Sequence, residues 1–509
     1  MQNLYKTTAL VTVFTAFEHF LGFLYRIILS RTLGAEGLGV YQVALTVYSV
    51  FLTISASGLP VTLSRTISKH RAANTPKKGH AATSAAVLIA LMFSLPITIL
   101  LFAIRDPFSQ IFADPRSADL FYILLFGLSF TALYTVIRGS FWGNRRFFAY
   151  STVELFEEIS MITIGIILIL VVPSSIPNVN KAAIAVFVSH FLSFVVALVY
   201  YFIKGGKFTS PKKEFVPMLK SSLPVTSMRA TSSLITSLIS VLFPMRLIAS
   251  GVSQARAMSE YGVVFGMVMP VLMLPSTLIG SIALVLVPEL AENYYKKEKE
   301  KVASLVKKSM NITLLTASML IPLFLVCGES VGIFLFSDAE SGKLIAYSAF
   351  ILIPMSISMI TTSMLNSIGC EKQTLCFFLA GSAVMLLSVW FLPKYLGSGA
   401  LVLGMALDYL LVSVCSLILL RKRTGKLGSV KYCFKLILAA VPVAAAGYGL
   451  KYLLMPVMSY VPATVIILIV MFGLEALLMW ALKLFDFKAF FKRFLPKKLP
   501  FRKKARAHK

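Results

Sequence analysis

The chain has 509 residues, 58% hydrophobic and only 14% charged, with a formal net charge of +28 and a mean hydropathy of +0.84. Soluble domains carry about 25% charged residues, so the composition excludes a soluble enzyme or carrier and describes an integral membrane protein. Apolar runs of about 20 residues recur from end to end, the length of a spanning helix rather than of a barrel strand. Basic residues collect in alternate loops and in the tail, a membrane-topology pattern that argues against nucleic acid as a partner.

Fourteen spans are predicted, near residues 7–30, 38–63, 81–104, 118–139, 153–173, 183–203, 217–247, 261–288, 308–328, 343–367, 373–392, 400–420, 432–453 and 460–482. With a cytoplasmic N-terminus, the basic loops 65–78, 138–146, 204–220, 296–308 and 421–435 all face the cytoplasm. The opposite loops hold mostly isolated charges, such as Arg105 with Asp106, Lys181, Lys394 and Lys451. An even number of spans returns the C-terminus to the cytoplasm. There residues 483–509 form a polybasic tail expected to lie near anionic lipid, each basic residue contributing about 1 kcal/mol at the surface. Only Lys6 precedes the first span as a basic residue, and charges interrupt that span, so it reads as a retained helix rather than a cleaved signal. The five cysteines lie in or beside apolar runs without metal-ligand spacing, and no disulfide framework is implied.

The first span carries Glu18, His19 and Arg26 inside its apolar run. An ionisable side chain at membrane depth costs about 2.5–3.5 kcal/mol or more, so it usually faces protein or a wet interior. At about 100° per residue, Thr12, His19 and Arg26 fall nearly on one line of the helix, with Gly22 beside them and Glu18 one step away. The pattern fits a stripe facing a substrate or ion. Two blander readings stand beside it: Arg26 could extend to the interface, and Glu18 could pair with a neighbouring helix.

The seventh span, LPVTSMRATSSLITSLISVLFPMR, mirrors the first by holding Arg229 near its middle. Its many Ser and Thr residues suit either a wet cavity or tight helix packing. Guanidinium is always charged and grips phosphate bidentately, so Arg26 and Arg229, with His19, are the expected binding residues for an anionic head group. Glu18 and Asp408 are candidate coupling or cavity residues. Glu154, Glu157 and Glu158, His190 and Glu475 complete the ionisable groups within spans, the three glutamates being readable as merely interfacial. No G-x-x-x-x-G-K-[ST] or H-E-x-x-H sequence occurs, so neither a P-loop ATPase nor a zinc protease is encoded. A non-enzymatic transporter without a cofactor, coupled to Na+ or H+ if to any ion, is the expectation.

A weak internal repeat supports two similar halves. Leu59-Pro60 and Val287-Pro288 stand 228 residues apart, and Gly143 and Gly369 stand 226 apart. The expected domains are a six-helix lobe over 1–203, a second over 204–420, an added helix pair over 421–482 and the tail over 483–509. Two even-numbered copies share one orientation and are related by an axis along the membrane normal.

The segments GFLYRIILSRTLGAEGLGVYQ, SASGLPVTLSR, IRGSFWGN, LPVTSMR, FPMR and YGVVFGMVMPVLMLPSTL…LVPELAE resemble, in order, the stage V sporulation protein B group. That group belongs to the multidrug/oligosaccharidyl-lipid/polysaccharide exporter superfamily, near the lipid II flippases. The resemblance implies an all-α bundle of about 14 helices in the bacterial cytoplasmic membrane and transport by alternating access. It implies an undecaprenyl-pyrophosphate-linked saccharide as cargo, a cationic central cavity to which Arg26 would contribute, and an ion gradient or membrane potential as driving force. Relatives often carry Ser/Thr-Arg where this chain has Glu18-His19, which leaves His19 the least secure of the implied site residues. A cation-coupled drug exporter using Glu18, Asp408 or Glu475, and a non-transporting scaffold for cell-wall synthesis proteins, are the alternatives.

Overall fold

The computed structural model describes residues 2–173, 175–425 and 430–484. The described residues are helical: α1 Gln2–Ala56, α2 Leu59–Ala72, α3 Pro76–Ala103, α4 Arg105–Ser109, α5 Pro115–Phe126, α6 Leu128–Gly143, α7 Phe147–Ile166, α8 Asn178–Ile203, α9 Lys212–Ala249, α10 Gln254–Tyr261, α11 Met269–Tyr295, α12 Lys299–Phe336, α13 Ala339–Ser348, α14 Leu352–Ser367, α15 Glu371–Phe391, α16 Pro393–Leu396, α17 Gly399–Thr424, α18 Val430–Leu454 and α19 Tyr460–Ala481. A π-helical turn, Ile167–Val171, extends α7, and a second, Gly262–Val268, joins α10 to α11.

Each of the fourteen apolar segments lies on one to three consecutive helical pieces. Eleven described helices are long and apolar enough to cross a membrane by themselves, or twelve if α5 and α6, bent by 50°, form one span. Two physical causes explain the difference. Val13–Ala72 counts as one run of 60 residues, about 90 Å at ~1.5 Å per residue, three times the ~30 Å hydrocarbon core. It is broken at Gly34, whose φ of 70° suits a residue without a Cβ, and again after Ala56 before Pro60 opens α2. The other omission is α7, which holds Glu154, Glu157 and Glu158 within its 20 residues. Val287-Pro288 lies inside α11, whereas Leu59-Pro60 begins a helix.

Large side chains face outward along whole helices, as Leu88, Met92, Leu95 and Ile99 do on α3. A water-exposed surface rarely carries so much contiguous apolar area; a lipid-covered one does. The protein is a multi-pass membrane protein.

The helices pack into two compact units. The first comprises Met1–Thr277, Gly332–Ile345 and Lys372–Val412. Within it α1 is the hub, packing against α9, α10, the following π turn, α7 and α5. Close approaches use small residues: a Cβ on Gly139 of α6 would stand 2.6 Å from the backbone of Pro60 on α2. The second unit comprises Leu278–Val331, Ala346–Glu371 and Ser413–Lys509. Its core joins α12, α18 and α19 through Leu323, Val326, Val443, Ile467 and Met471.

Candidate functional site

The first unit encloses a polar network where α1, α6, α7 and α8 meet. The E-L-F-E-E order places Glu154, Glu157 and Glu158 on one face of α7, turned inward rather than to an interface. Arg138 of α6 pairs with Glu154 at 2.8 Å and lies over the rings of Tyr134 and Tyr150, 5.5 and 5.2 Å from their centroids. Glu157 faces His190 of α8 at 2.9 Å. The other ring nitrogen of His190 is 3.1 Å from the Thr131 hydroxyl, which also accepts from Tyr48 at 3.1 Å. Glu158 stands against α1, its Oε1 2.9 Å from where a Cβ on Gly22 would be. Glu18 is half-buried beside the same carboxylates and Arg138.

Two carboxylates in this network therefore have ion-pair partners, while Glu18 and Glu158 have none among the described residues. Among the described residues, no group of three His, Cys, Asp or Glu side chains is arranged to hold a metal ion. Sequence reasoning puts Arg138 in a loop and does not decide between inward and interfacial glutamates. The spacing of three and four residues marks their common face, but nothing local reveals that α6 and α8 supply the partners.

Of the predicted binding residues in the same unit, Arg26 borders this network near Glu158, and Arg229 belongs to α9. Arg26 is half-buried, and its Nη1 donates to the carbonyl of Phe265 at 3.4 Å, inside the π turn after α10. Arg229 is exposed, and its Nη1 donates at 2.9 Å to the carbonyl of Ser57, in the break between α1 and α2. Each arginine thus reaches from the first helix of one sequence half to an irregular turn in the second span of the other half. Neither belongs to an ion pair among the described residues. His19 is exposed on α1, near Glu154. Thr12, the third member of the predicted stripe, has a side chain outside the described set. Asp408 is distant in sequence and packs over Gly381 of α15, which leaves no room for a Cβ there.

The hydroxyls of α9 are divided between the two expected uses. Ser227, Thr231 and Thr236 donate to the carbonyls four residues back, at 2.9, 2.9 and 3.0 Å, and Ser233 meets Ser49 of α1 at 3.0 Å. Thr226, Ser227 and Ser222 also line a cavity of about 180 Å³ with Ser55.

At the end of these helices opposite the basic loops, α1 and α10 cross backbone to backbone. A Cβ on Gly39 or on Gly262 would overlap the backbone on the other side of this crossing. Ion pairs surround it. Arg116 joins Glu36 and also Asp114, the latter at 2.7 Å, while Arg256 joins Glu260 at 3.1 Å and Glu340 at 2.6 Å. Arg31 donates to the Leu335 carbonyl at 2.8 Å and to that of Phe334. Burial alone would raise the Asp114 carboxyl, but its hydrogen bonds from Arg116 hold it below the ordinary carboxylate range.

The second unit holds an apolar cavity of about 640 Å³ between α12, α14 and α18, lined by Leu314, Ile321, Phe350, Ile437 and Val441, with Asn311 and Ser318 as its polar members.

Residues 4–294 match the family model described as polysaccharide biosynthesis protein. Among curated proteins, the chain is 24% identical over 353 residues to stage V sporulation protein B of Bacillus subtilis (strain 168), spanning 65% of this chain and 66% of that protein, just under two thirds of its length. It is 21% identical over 454 residues to the lipid II flippase MurJ of the same organism, spanning 83% of each. Among solved structures, it superposes on an inward-facing multidrug resistance MATE family transporter of the MOP superfamily with a TM-score of 0.69 and 17% identity, covering 80% of this chain and 94% of that one. It superposes on lipid II flippase MurJ in an inward closed conformation with a TM-score of 0.68 and 14% identity, covering 96% and 99%. The likeness confirms an all-α fold of the MOP-superfamily type, and the chain belongs to the polysaccharide biosynthesis protein family.

Proposed function

We propose that this chain is a flippase that moves an undecaprenyl-pyrophosphate-linked saccharide, lipid II or a related peptidoglycan precursor, across the bacterial cytoplasmic membrane by alternating access. The observation that carries the reading is the pair Arg26 and Arg229, two permanent cations on membrane helices that donate to backbone carbonyls and form no close ion pair among the described residues, Glu158 lying within the field of Arg26. A charge at that depth is costly and is retained for a counter-charge that arrives with the substrate. Each guanidinium commits one N–H to its carbonyl and keeps others for phosphate oxygens, in the planar fork that suits a diphosphate. Similarity to proteins named for lipid II flipping and sporulation supports the same cargo.

In this reading both termini are cytoplasmic, and the lobes 1–203 and 204–420 rock about the bound head group, with 421–482 as an added pair. The polyprenyl chain stays in lipid, and the apolar cavity beside α18 accepts part of it. An ion gradient or the membrane potential drives the cycle, and no covalent chemistry is performed. The tail falls almost wholly outside the described residues; its basic sequence fits anionic lipid, and cell-wall synthesis proteins are the partners it would meet. The test is lipid II exposure on the outer leaflet of cells depleted of their own flippases. Wild type restores exposure, and Arg26→Ala and Arg229→Ala, inserted at normal levels, do not. Full restoration by both variants contradicts the cationic-site mechanism.

A second reading, a cation-coupled drug exporter, is favoured by the unpaired carboxylates Glu18 and Glu158 in the α1–α7 network. It requires that Glu18→Gln abolish efflux of a cationic dye while lipid II exposure stays at background for wild type.

A further inference from the structure

Glu475 is used by none of the interactions described above. It belongs to the buried face of α19, in line with Ala463, Ile467, Met471 and Met479. It is 1% exposed, and its Oε2 is buried with no hydrogen-bond partner among the described residues. Its level in the second unit is fixed by its neighbours one turn to either side. Met471 packs with Val326 of α12 and Val443 of α18, and Met479 with Leu315 of α12 and Ala439 of α18. Glu475 therefore lies between those two apolar clusters.

The charged and titratable groups on the helices around it are engaged elsewhere. On α18, Lys435 donates to the Leu482 carbonyl at 2.9 Å, seven residues along α19 and so about 10 Å from Glu475. Lys451 pairs with Glu329 of α12 at 3.3 Å, beyond the Met471 level. Tyr432 donates to Asn311 and Tyr448 to Leu325, both backbone carbonyls of α12. Lys431 and Cys433 are exposed at the start of α18, as are Lys307 and Lys308 of α12. Tyr460 opens α19, and Cys327 is an uncharged member of the Met471 cluster.

The same stretch contains two helix-internal prolines, Pro322 of α12 and Pro442 of α18. Proline has no N–H, so the carbonyls four residues earlier, on Ser318 and Leu438, lack their usual helical donor. Among the described residues, no cation pairs with Glu475, whose neighbours one turn to either side are the apolar Met471 and Met479 clusters. An ionised carboxylate can only accept, whereas a protonated one donates. A hard metal ion would need several oxygen ligands, and one carboxyl among apolar side chains does not supply them.

We propose that Glu475 is a proton-binding site, held as the neutral acid between α12 and α18 and exchanging its proton as the chain cycles. Its role as the coupling site rests on the transport reading; its protonation does not. The end of α19 at Leu482, about 10 Å away, is the shorter route to water along that helix.

The test uses the full-length chain in liposomes. Dicyclohexylcarbodiimide adds to protonated carboxyls shielded from water, and peptide mass spectrometry locates the adduct. An adduct forms on Glu475 at neutral pH, falls about tenfold per pH unit once its own pKa is passed, and is absent in Glu475→Gln. Lipid II flipping by wild type accelerates under an imposed pH gradient, whereas Glu475→Gln flips at one rate with or without it. Absence of the adduct at neutral and acidic pH, in protein that melts cooperatively, overturns the proton site. A Glu475→Gln protein that still responds to the gradient overturns the coupling role. If wild type moves no lipid II, the transport reading fails and the labelling alone decides the site; the wild-type pH profile also decides it if Glu475→Gln does not fold.

Discussion

Arg138 and Glu154 form a 2.8 Å ion pair inside the first unit, with the guanidinium clamped between Tyr134 and Tyr150. Removing one member leaves the other charge in a low-dielectric setting without compensation. Arg138→Ala is therefore expected to destabilise the protein by about 3 kcal/mol. Arg138→Met combined with Glu154→Gln recovers most of that loss. Melting curves of the single and double variants in one detergent measure the coupling.

The Gly39–Gly262 crossing has no room for a side chain. Gly39→Val forces α1 away from α10, at a cost of about 1–3 kcal/mol for overpacking, and loosens the ion pairs around the crossing. A lower melting temperature and faster bimane labelling of a cysteine placed at Glu36 are expected, with a smaller effect for Gly39→Ala.

Asp114 gives a pH dependence of known sign. Its folded-state pKa lies below the ordinary 3.8 because the hydrogen bonds from Arg116 outweigh burial. The folded chain therefore binds this proton less tightly than the unfolded chain, so the group adds stability above the ordinary value and loses it as pH falls toward the folded one. Its carboxylate also caps α5 by accepting from the Arg116 backbone N–H at 2.8 Å. Asp114→Asn should lower stability by about 1 kcal/mol, by a constant amount from neutral pH down to about 4. The gap to wild type should shrink only below that, as read from melting temperatures across pH.

Much of the fold was legible because hydropathy marks each span independently of its neighbours. Hydropathy separates the first two spans on either side of Gly34, but it reads the second straight through Leu59-Pro60 to residue 63, whereas the chain breaks after Ala56 and opens α2 at Leu59. The π turn at 262–268 was not legible, since nothing in G-V-V-F-G-M-V distinguishes it from an ordinary helix. For the polar site, sequence singled out Arg26, Arg229 and Glu18 as charges in apolar runs. It gave no hint that Arg26 and Arg229 would meet the carbonyls of Phe265 and Ser57, respectively 239 and 172 residues away. Arg138 escaped notice because it sits where a span meets a basic loop, and only tertiary packing turns it inward.

Charge and geometry at Arg26 can be separated. Arg26→Lys keeps the cation but loses the fork, so flipping should fall about tenfold, between wild type and Arg26→Ala, and insertion should be unchanged. Equal rates for Lys and Ala would assign the whole effect to the fork.

The most direct measurement is the initial rate of lipid II movement in liposomes carrying wild type or the double variant Arg26→Ala/Arg229→Ala. Two charge-assisted contacts of roughly 1.5–3 kcal/mol each predict a fall of about a hundredfold or more, with unchanged melting temperature. A double variant that folds and moves lipid II at the wild-type rate would contradict a cationic head-group site.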